Sequence, residues 1–314
     1  MPNEIASQSG GQPQKLPFSA MISSAGYQKL INNTLKDPAK AQRFVAAITS
    51  AVAINPALQA CDPATVLSGA LLGESLNLSP SPQLGQYYLV PYWNSKKGVS
   101  DAQFQMGYKG YVQLALRSGY YRKMNVIAVK EGELKRFNPI TEEYEFSLIE
   151  DEEEREKRPT KGYFAFFEYL NGFTKSLYWS KSKMLAHADR YSPAFSINAT
   201  TVTRGRNRYN KVSYADYEAG NYPTSDAWLY SSFWYKDFDA MAYKTMLRQL
   251  ISKWGIMSTE LQTAFEHDAV SEPVPDYATV PDVILPPAMS EALSEAGEAA
   301  ASPEDAKEIS LDNL

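Results

Sequence analysis

The hydrophobic period of this chain first changes near residue 86, and that change restricts the fold more than any other feature. Ahead of it, AKAQRFVAAITSAVAINPAL from Ala39 sets Phe44, Ile48 and Val52 four residues apart, the spacing of one helix face, and stops before Pro56. A second helix is predicted behind it, with Asp62 as cap and Pro63 in the first turn. Val66, Leu67, Ala70 and Leu71 form its apolar face, and it fades near Asn77. Beyond residue 86 the pattern alternates: Gln86–Tyr92 and Ala102–Met106 read as strands around a polar loop holding Lys96, Lys97 and Gly98. A chain that spends one period and then the other is α+β, here a small antiparallel sheet packed with helices and a helical N-terminal subdomain.

Gly107 hands the second strand to a helix, Tyr108–Ser118, which Gly119 stops. Further strands are predicted at Met124–Glu131, Tyr144–Ile149, Gly162–Tyr169 and Thr174–Trp179, the last two joined through the Asn171–Gly172 turn. A short helix, Lys181–Arg190, leads into an irregular insertion, 192–232, whose fold the pattern does not give. A long helix from about Trp234 to Trp254 and a brief one, Ser258–Phe265, close the core. The organisation expected is a flexible arm over 1–35, a core over 36–266, and a disordered acidic tail over 267–314 rich in Pro, Ala and Glu.

Charge is segregated along the 314 residues. The formal net charge is −5, yet 13 of the 36 acids and only one base, Lys307, lie from Glu260 onward, so the preceding body is positive. Nine more acids crowd between Glu142 and Glu156, and the five consecutive ones, Glu150 to Glu154, read as a solvated loop. Two stretches hold no acid at all: Ala102–Lys130, with Lys109, Arg117, Arg122, Lys123 and Lys130, and Arg190–Ser213, with Arg190, Arg204, Arg206, Arg208 and Lys211. Such segregation is the footprint of a polyanion partner. The single cysteine, Cys61, excludes an internal disulfide framework. No apolar run reaches membrane-helix length and the N-terminus lacks a signal-peptide layout, so a soluble cytoplasmic protein is expected, with no membrane partner.

Enzymatic signatures are missing. Neither G-x-x-x-x-G-K-[ST] nor G-x-G-x-x-G occurs, so no phosphate-cradling loop for ATP is present. The two histidines, His187 and His267, sit in no metal-ligand spacing, and neither a catalytic residue nor a metal site is assigned. A metal-dependent DNA nuclease built on acids such as Asp101, Glu131 and Glu133 is one alternative. A non-enzymatic oligomeric scaffold, its bases paired with acids across subunit contacts, is the other.

The segment QFQMGYKGYVQLALRSGYYRKMNV carries the most information. On a helix from Tyr108, the side chains of Lys109, Gln113 and Arg117 share one stripe and Tyr108, Val112 and Ala115 another. Tyr120, Tyr121, Arg122 and Lys123 follow, rings beside bases, the combination that stacks on nucleobases and neutralises phosphates. An ordinary amphipathic helix with a solvated basic face has the same period. In the late helix Lys244 and Arg248 lie one turn apart, with Asp237 as a candidate acid to separate them. TRGRNRYNK reads as a loop able to grip a phosphate backbone, or as a plain surface loop.

Four blocks, LQACDPATVLSGALLGESLNLSP, LGQYYLVPYWN, AQFQMGYKGYVQLALRSGYY and FDAMAYKTMLRQLISKWGIMSTELQ, stand in the order and spacing found in the RecT family of phage and prophage single-strand annealing proteins. The resemblance covers about residues 40–191 and 232–266. It implies an α+β core and ATP-independent annealing of complementary strands in homologous recombination. It implies self-assembly into a ring or helical filament, a 5′-to-3′ exonuclease partner, contact with the host single-strand-binding protein, and a place in the bacterial cytoplasm. By motif position the family's groove for single-stranded and annealed duplex DNA falls on Gln103, Tyr108, Lys109, Tyr111, Arg117, Lys244 and Arg248. Charge and proximity add Arg122, Lys123 and Lys253, and Arg206 comes from the basic loop. No cofactor is required on this reading; Mg²⁺ is expected at most to modulate DNA binding. The 192–232 insertion and the acidic tail exceed what the resemblance accounts for.

Overall fold

A computed structural model describes residues 18–204 and 206–269 of the chain. It opens with helices α1 (Phe18–Ile22), α2 (Ala25–Leu35), α3 (Pro38–Ile54), α4 (Pro56–Gln59) and α5 (Pro63–Ser75). Prolines follow the caps Asp37, Asn55 and Asp62, whose side chains accept hydrogen bonds from first-turn amides of α3, α4 and α5. Phe44, Ile48 and Val52 of α3 and Val66, Leu67, Ala70 and Leu71 of α5 are buried, as their spacing predicts. The arm expected over 1–35 needs correction. Residues 18–35 are helical, and Phe18, Ile22, Tyr27, Leu30 and Ile31 are buried in the same core, because α1 and α2 pack on one another and on α3. Residues 1–17 of that expectation lie outside the described residues.

Strands β1 (Tyr87–Asn94) and β2 (Val99–Met106) form an antiparallel hairpin turning at Gly98, whose φ of 65° suits glycine. The hairpin lies on α5 so closely that a side chain at Gly73 would strike the Tyr87 ring. Helix α6 (Tyr108–Arg117) follows at once. Strands β3 (Tyr121–Lys130), β4 (Leu134–Asn138) and β5 (Glu143–Phe146), helix α7 (Glu152–Lys157), and strands β6 (Thr160–Tyr169) and β7 (Thr174–Ser180) come next. The small antiparallel sheet expected from the sequence is three-stranded, β3-β6-β7, and separate two-stranded hairpins accompany it. The acid run is likewise no loop throughout. Part of it is α7, whose Arg155 guanidinium binds the buried Glu133 carboxylate at 2.6 Å.

Helix α8 (Lys181–Tyr191), hairpin β8 (Thr200–Arg204) and β9 (Asn207–Lys211), helix α9 (Tyr214–Glu218), a 3₁₀ turn over Thr224–Tyr230, and helices α10 (Phe233–Lys236), α11 (Phe238–Trp254) and α12 (Thr259–Ala269) complete the order. The insertion is thus built around aromatic rings. Phe195, Tyr214, Tyr230 and Tyr235 are buried, the Tyr230 hydroxyl accepts from the Val212 amide, and the Tyr235 hydroxyl accepts from the Ser196 amide. The long late helix is broken at Asp237, which leaves helical geometry to cap α11 by accepting from the Ala240 amide. Helix α11 covers the inner face of the three-stranded sheet, where Tyr163, Ala165, Phe167 and Tyr169 are buried, and reaches α6. The expected boundary at residue 266 falls inside α12, and Asp268, assigned to the tail, is buried. Residues 270–314 of the expected tail lie outside the described residues. Among the described residues no helix is long and apolar enough to cross a membrane.

Candidate nucleic-acid interface

Helix α6 is seated by glycine. A Cβ on Gly107 or Gly110 would run into the carbonyl oxygens of Gly85 and Gln86, so the first turn lies directly against the segment entering β1. That seating turns Leu114 and Ala115 inward and leaves Lys109 and Gln113 in solvent. Lys109 forms no ion pair among the described residues. Tyr108 is half-buried, its ring edge-on to Tyr243 of α11 at 5.6 Å between centroids. Gln103 is half-buried on β2 opposite Val90, between the inward-facing Ala102 and Phe104.

The remaining assigned residues sit in different settings. Tyr111 is fully buried: its hydroxyl donates to Asp268 Oδ2 at 2.6 Å and its ring lies on Phe265 at 5.0 Å, so as the chain stands it is no surface for a nucleobase. Lys244 is held in a pair with the buried Asp268, Nζ to Oδ1 at 2.8 Å, and its side chain is 13% exposed. Its acid is therefore Asp268, twenty-four residues on, and Asp237 serves as the α11 cap. Arg248 places its guanidinium 6.0 Å from the centre of the Phe265 ring. Arg117, though exposed, donates to the carbonyls of Leu76 and Asn77 at 2.8 and 3.0 Å, where it caps the end of α5.

Arg122 and Lys123 are more than half exposed and share one acid, Glu168, at 3.0 and 3.4 Å. Lys253 is exposed at the end of α11, which is tied to the start of β3 by the Tyr121 hydroxyl donating to the Ile256 carbonyl. Burial and the neighbouring Tyr169 push the Tyr121 hydroxyl above the ordinary tyrosine pKa, so it stays a donor at neutral pH. Arg206 is exposed in the turn of the β8–β9 hairpin, apart from the α6–α11 group. The hairpin is rooted by Lys211, which is buried, donates to the Ala194 carbonyl at 2.8 Å and lies over the Tyr235 ring at 4.6 Å. Burial lowers its pKa to about 8.

The acids of the nuclease alternative do not meet. Asp101 is buried against the Asn94 amide and Lys97, Glu133 against Arg155, and Glu131 pairs with Lys161 in solvent. Among the described residues no group of three or more His, Cys, Asp or Glu is placed to hold a metal ion.

The model of the RecT family matches residues 42–280 of the chain. The chain belongs to the RecT family. Its relatives include the uncharacterized protein YqaK of Bacillus subtilis (strain 168), 36% identical over 263 residues, a match spanning 83% of this chain and 75% of that protein. Protein RecT of Escherichia coli (strain K12) is 31% identical over 137 residues, 43% of this chain and 50% of that one. RecT proteins act in single-strand annealing during DNA recombination. The four RecT-like sequence blocks fold into α4–α5, β1, β2–α6 and α11–α12; α5 packs on β1 and β2, α12 on β2 and α6, and α11 on α6. Two residues at that junction escaped the sequence reading, Phe265 and Asp268. The one signal for them was period: Phe265 ends the expected helix, and Asp268 continues its Leu261–Phe265 face past that end.

Proposed function

We propose that this RecT protein binds single-stranded DNA along the open side of α6 and the neighbouring ends of β3 and α11, and anneals it to its complement without a nucleotide cofactor. The observation that carries this reading is the acid-free stretch Ala102–Lys130. It folds into β2, α6 and β3 at the junction of the four family blocks, with Lys109, Arg122 and Lys123 in solvent. Half-exposed Tyr120 stands between α6 and those two bases, a ring beside cations as strand binders use. Pairing is accelerated because two strands are concentrated on one surface and their phosphate repulsion is screened; base pairing itself reads the sequence. No side chain needs to make or break a bond. An oligomer, as a ring or filament, would extend that surface along a strand, and an exonuclease that exposes single strands and the host single-strand-binding protein are the partners such a role calls for.

The test is annealing of two complementary dye-labelled oligonucleotides, followed by energy transfer without ATP. Wild type accelerates pairing, and Lys109→Glu combined with Lys253→Glu abolishes the acceleration while leaving the thermal midpoint unchanged. Log affinity for a single strand falls by about 0.7 per decade of salt for each neutralised phosphate. Pairing no faster than the spontaneous rate would sink the reading.

A further inference from the structure

Three donors from three different elements converge on one carboxylate. Asp268 Oδ1 accepts from the Met106 amide of β2 at 3.2 Å and from Lys244 Nζ of α11 at 2.8 Å, and Oδ2 accepts from the Tyr111 hydroxyl of α6 at 2.6 Å. A backbone amide, a phenol and an ammonium around a buried site form a receptor for an oxyanion, and they would serve two oxygens of a phosphodiester as well as two of a carboxylate. The carboxylate arrives on α12, the last described helix. Only residues 255–258 join it to α11, and it packs on β2 and α6 through Leu261, Ala264 and Phe265. Phe265 also covers the Tyr111 ring and faces the Arg248 guanidinium. Helix α12, Thr259–Ala269, is the last element described. Beyond it the sequence carries ten acids and one base.

We propose that the Met106–Tyr111–Lys244 pocket is a phosphate site and that α12, through Asp268, plugs it in the free protein. A strand phosphate and the Asp268 carboxylate then compete for the same donors, and DNA binding releases α12 and uncovers Tyr111 and Arg248 for the strand. The inference rests on the DNA-binding reading above and adds its regulation: the fraction of molecules with α12 seated lowers the apparent affinity for DNA by that fraction.

The experiment uses the full chain and a dye-labelled oligothymidylate, with anisotropy for affinity and hydrogen exchange for α12. Asp268→Asn keeps the shape and removes the charge; it binds the oligonucleotide about five-fold or more tighter than wild type. In wild type, α12 amides lose protection when the oligonucleotide is added. Equal or weaker binding by Asp268→Asn, with α12 as protected in the complex as in the free protein, makes the pair a permanent structural lock and overturns the plug. If Asp268→Asn fails to fold, the wild-type exchange measurement decides alone. Lys109→Glu separates the two levels. Lost binding with α12 still protected in the wild-type complex removes only the plug; unchanged binding by Lys109→Glu removes the interface on which it rests.

Discussion

Helices α6 and α11 carry their bases on similar stripes and hold them in opposite conditions. On α6, Lys109 points into solvent with no ion pair among the described residues. On α11, Lys244 is almost wholly covered and bound to a buried carboxylate. The helices differ in what reaches their bases: α12, packed on β2 and α6, meets Lys244 and Arg248 of α11 through Asp268 and Phe265, and leaves Lys109 of α6 bare. Side-chain spacing decides which residues share a face, whereas the element packed on that face decides whether their charge is available to a partner.

The largest expected effect tests the covered half of this contrast. Lys244→Ala leaves the Asp268 carboxyl buried and short of its counter-charge, which costs about 3–5 kcal/mol in urea unfolding because a buried ion pair broken on one side keeps the desolvation penalty of the other. A loss below about 1 kcal/mol would mean that α12 spends little time seated, which breaks the contrast at its root. A DNA-binding defect in a Lys244 variant therefore speaks to the interface only after its stability is known.

Lys211 sharpens the comparison, because it is a buried base that meets the Ala194 carbonyl and the Tyr230 and Tyr235 rings. Burial lowers its pKa from 10.5 to about 8. Below pH 8 the amine is protonated in both the folded and unfolded chain and the folded state bears the full penalty of a buried charge. Between pH 8 and 10.5 the unfolded chain binds the extra proton, so stability rises with pH. From pH 7.5 to 9.5 the urea midpoint of wild type should increase, equivalent to about 1–2 kcal/mol, and Lys211→Met should flatten that rise. A flat wild-type profile would place Lys211 in water and detach the β8–β9 hairpin from its aromatic root.

How much of this was legible in the sequence follows the range of the interactions. Helices α3 and α5 and the β1–β2 hairpin were readable because caps, prolines and local period agree within a few residues. Helices α1 and α2 were not. Their apolar residues are diluted by Ser, Asn and Gln, and they become helical by packing on α3. The insertion was opaque because its order comes from tyrosine hydroxyls meeting amides eighteen and thirty-nine residues away. Among the site residues, the exposure of Lys109 was legible from its stripe. The burial of Tyr111 and Lys244 was not, since it depends on Asp268, which lies 157 residues from Tyr111 and inside a stretch that composition assigns to an acidic tail.

Arg117 gives a smaller and more local effect. Its two bonds to the carbonyls ending α5 make it a cap, so Arg117→Ala should cost about 1 kcal/mol. It should weaken DNA binding less than Lys109→Ala does, although the two residues share a stripe. The reverse order would show that Arg117 leaves α5 for a phosphate when DNA arrives.

Lys109→Ala should change stability least, by no more than about 0.5 kcal/mol, because the side chain is exposed, pairs with no acid among the described residues and lies outside the core. Its effect belongs to binding alone. One fewer neutralised phosphate lowers the salt slope of single-strand affinity by about 0.7, and the loss is the same for every sequence because a phosphate contact carries no base information. A Lys109→Ala protein that keeps the wild-type salt slope would move the strand off α6. The bare helix would then be bare because no partner uses it, and the covered flank of α11 would become the place where DNA has to enter.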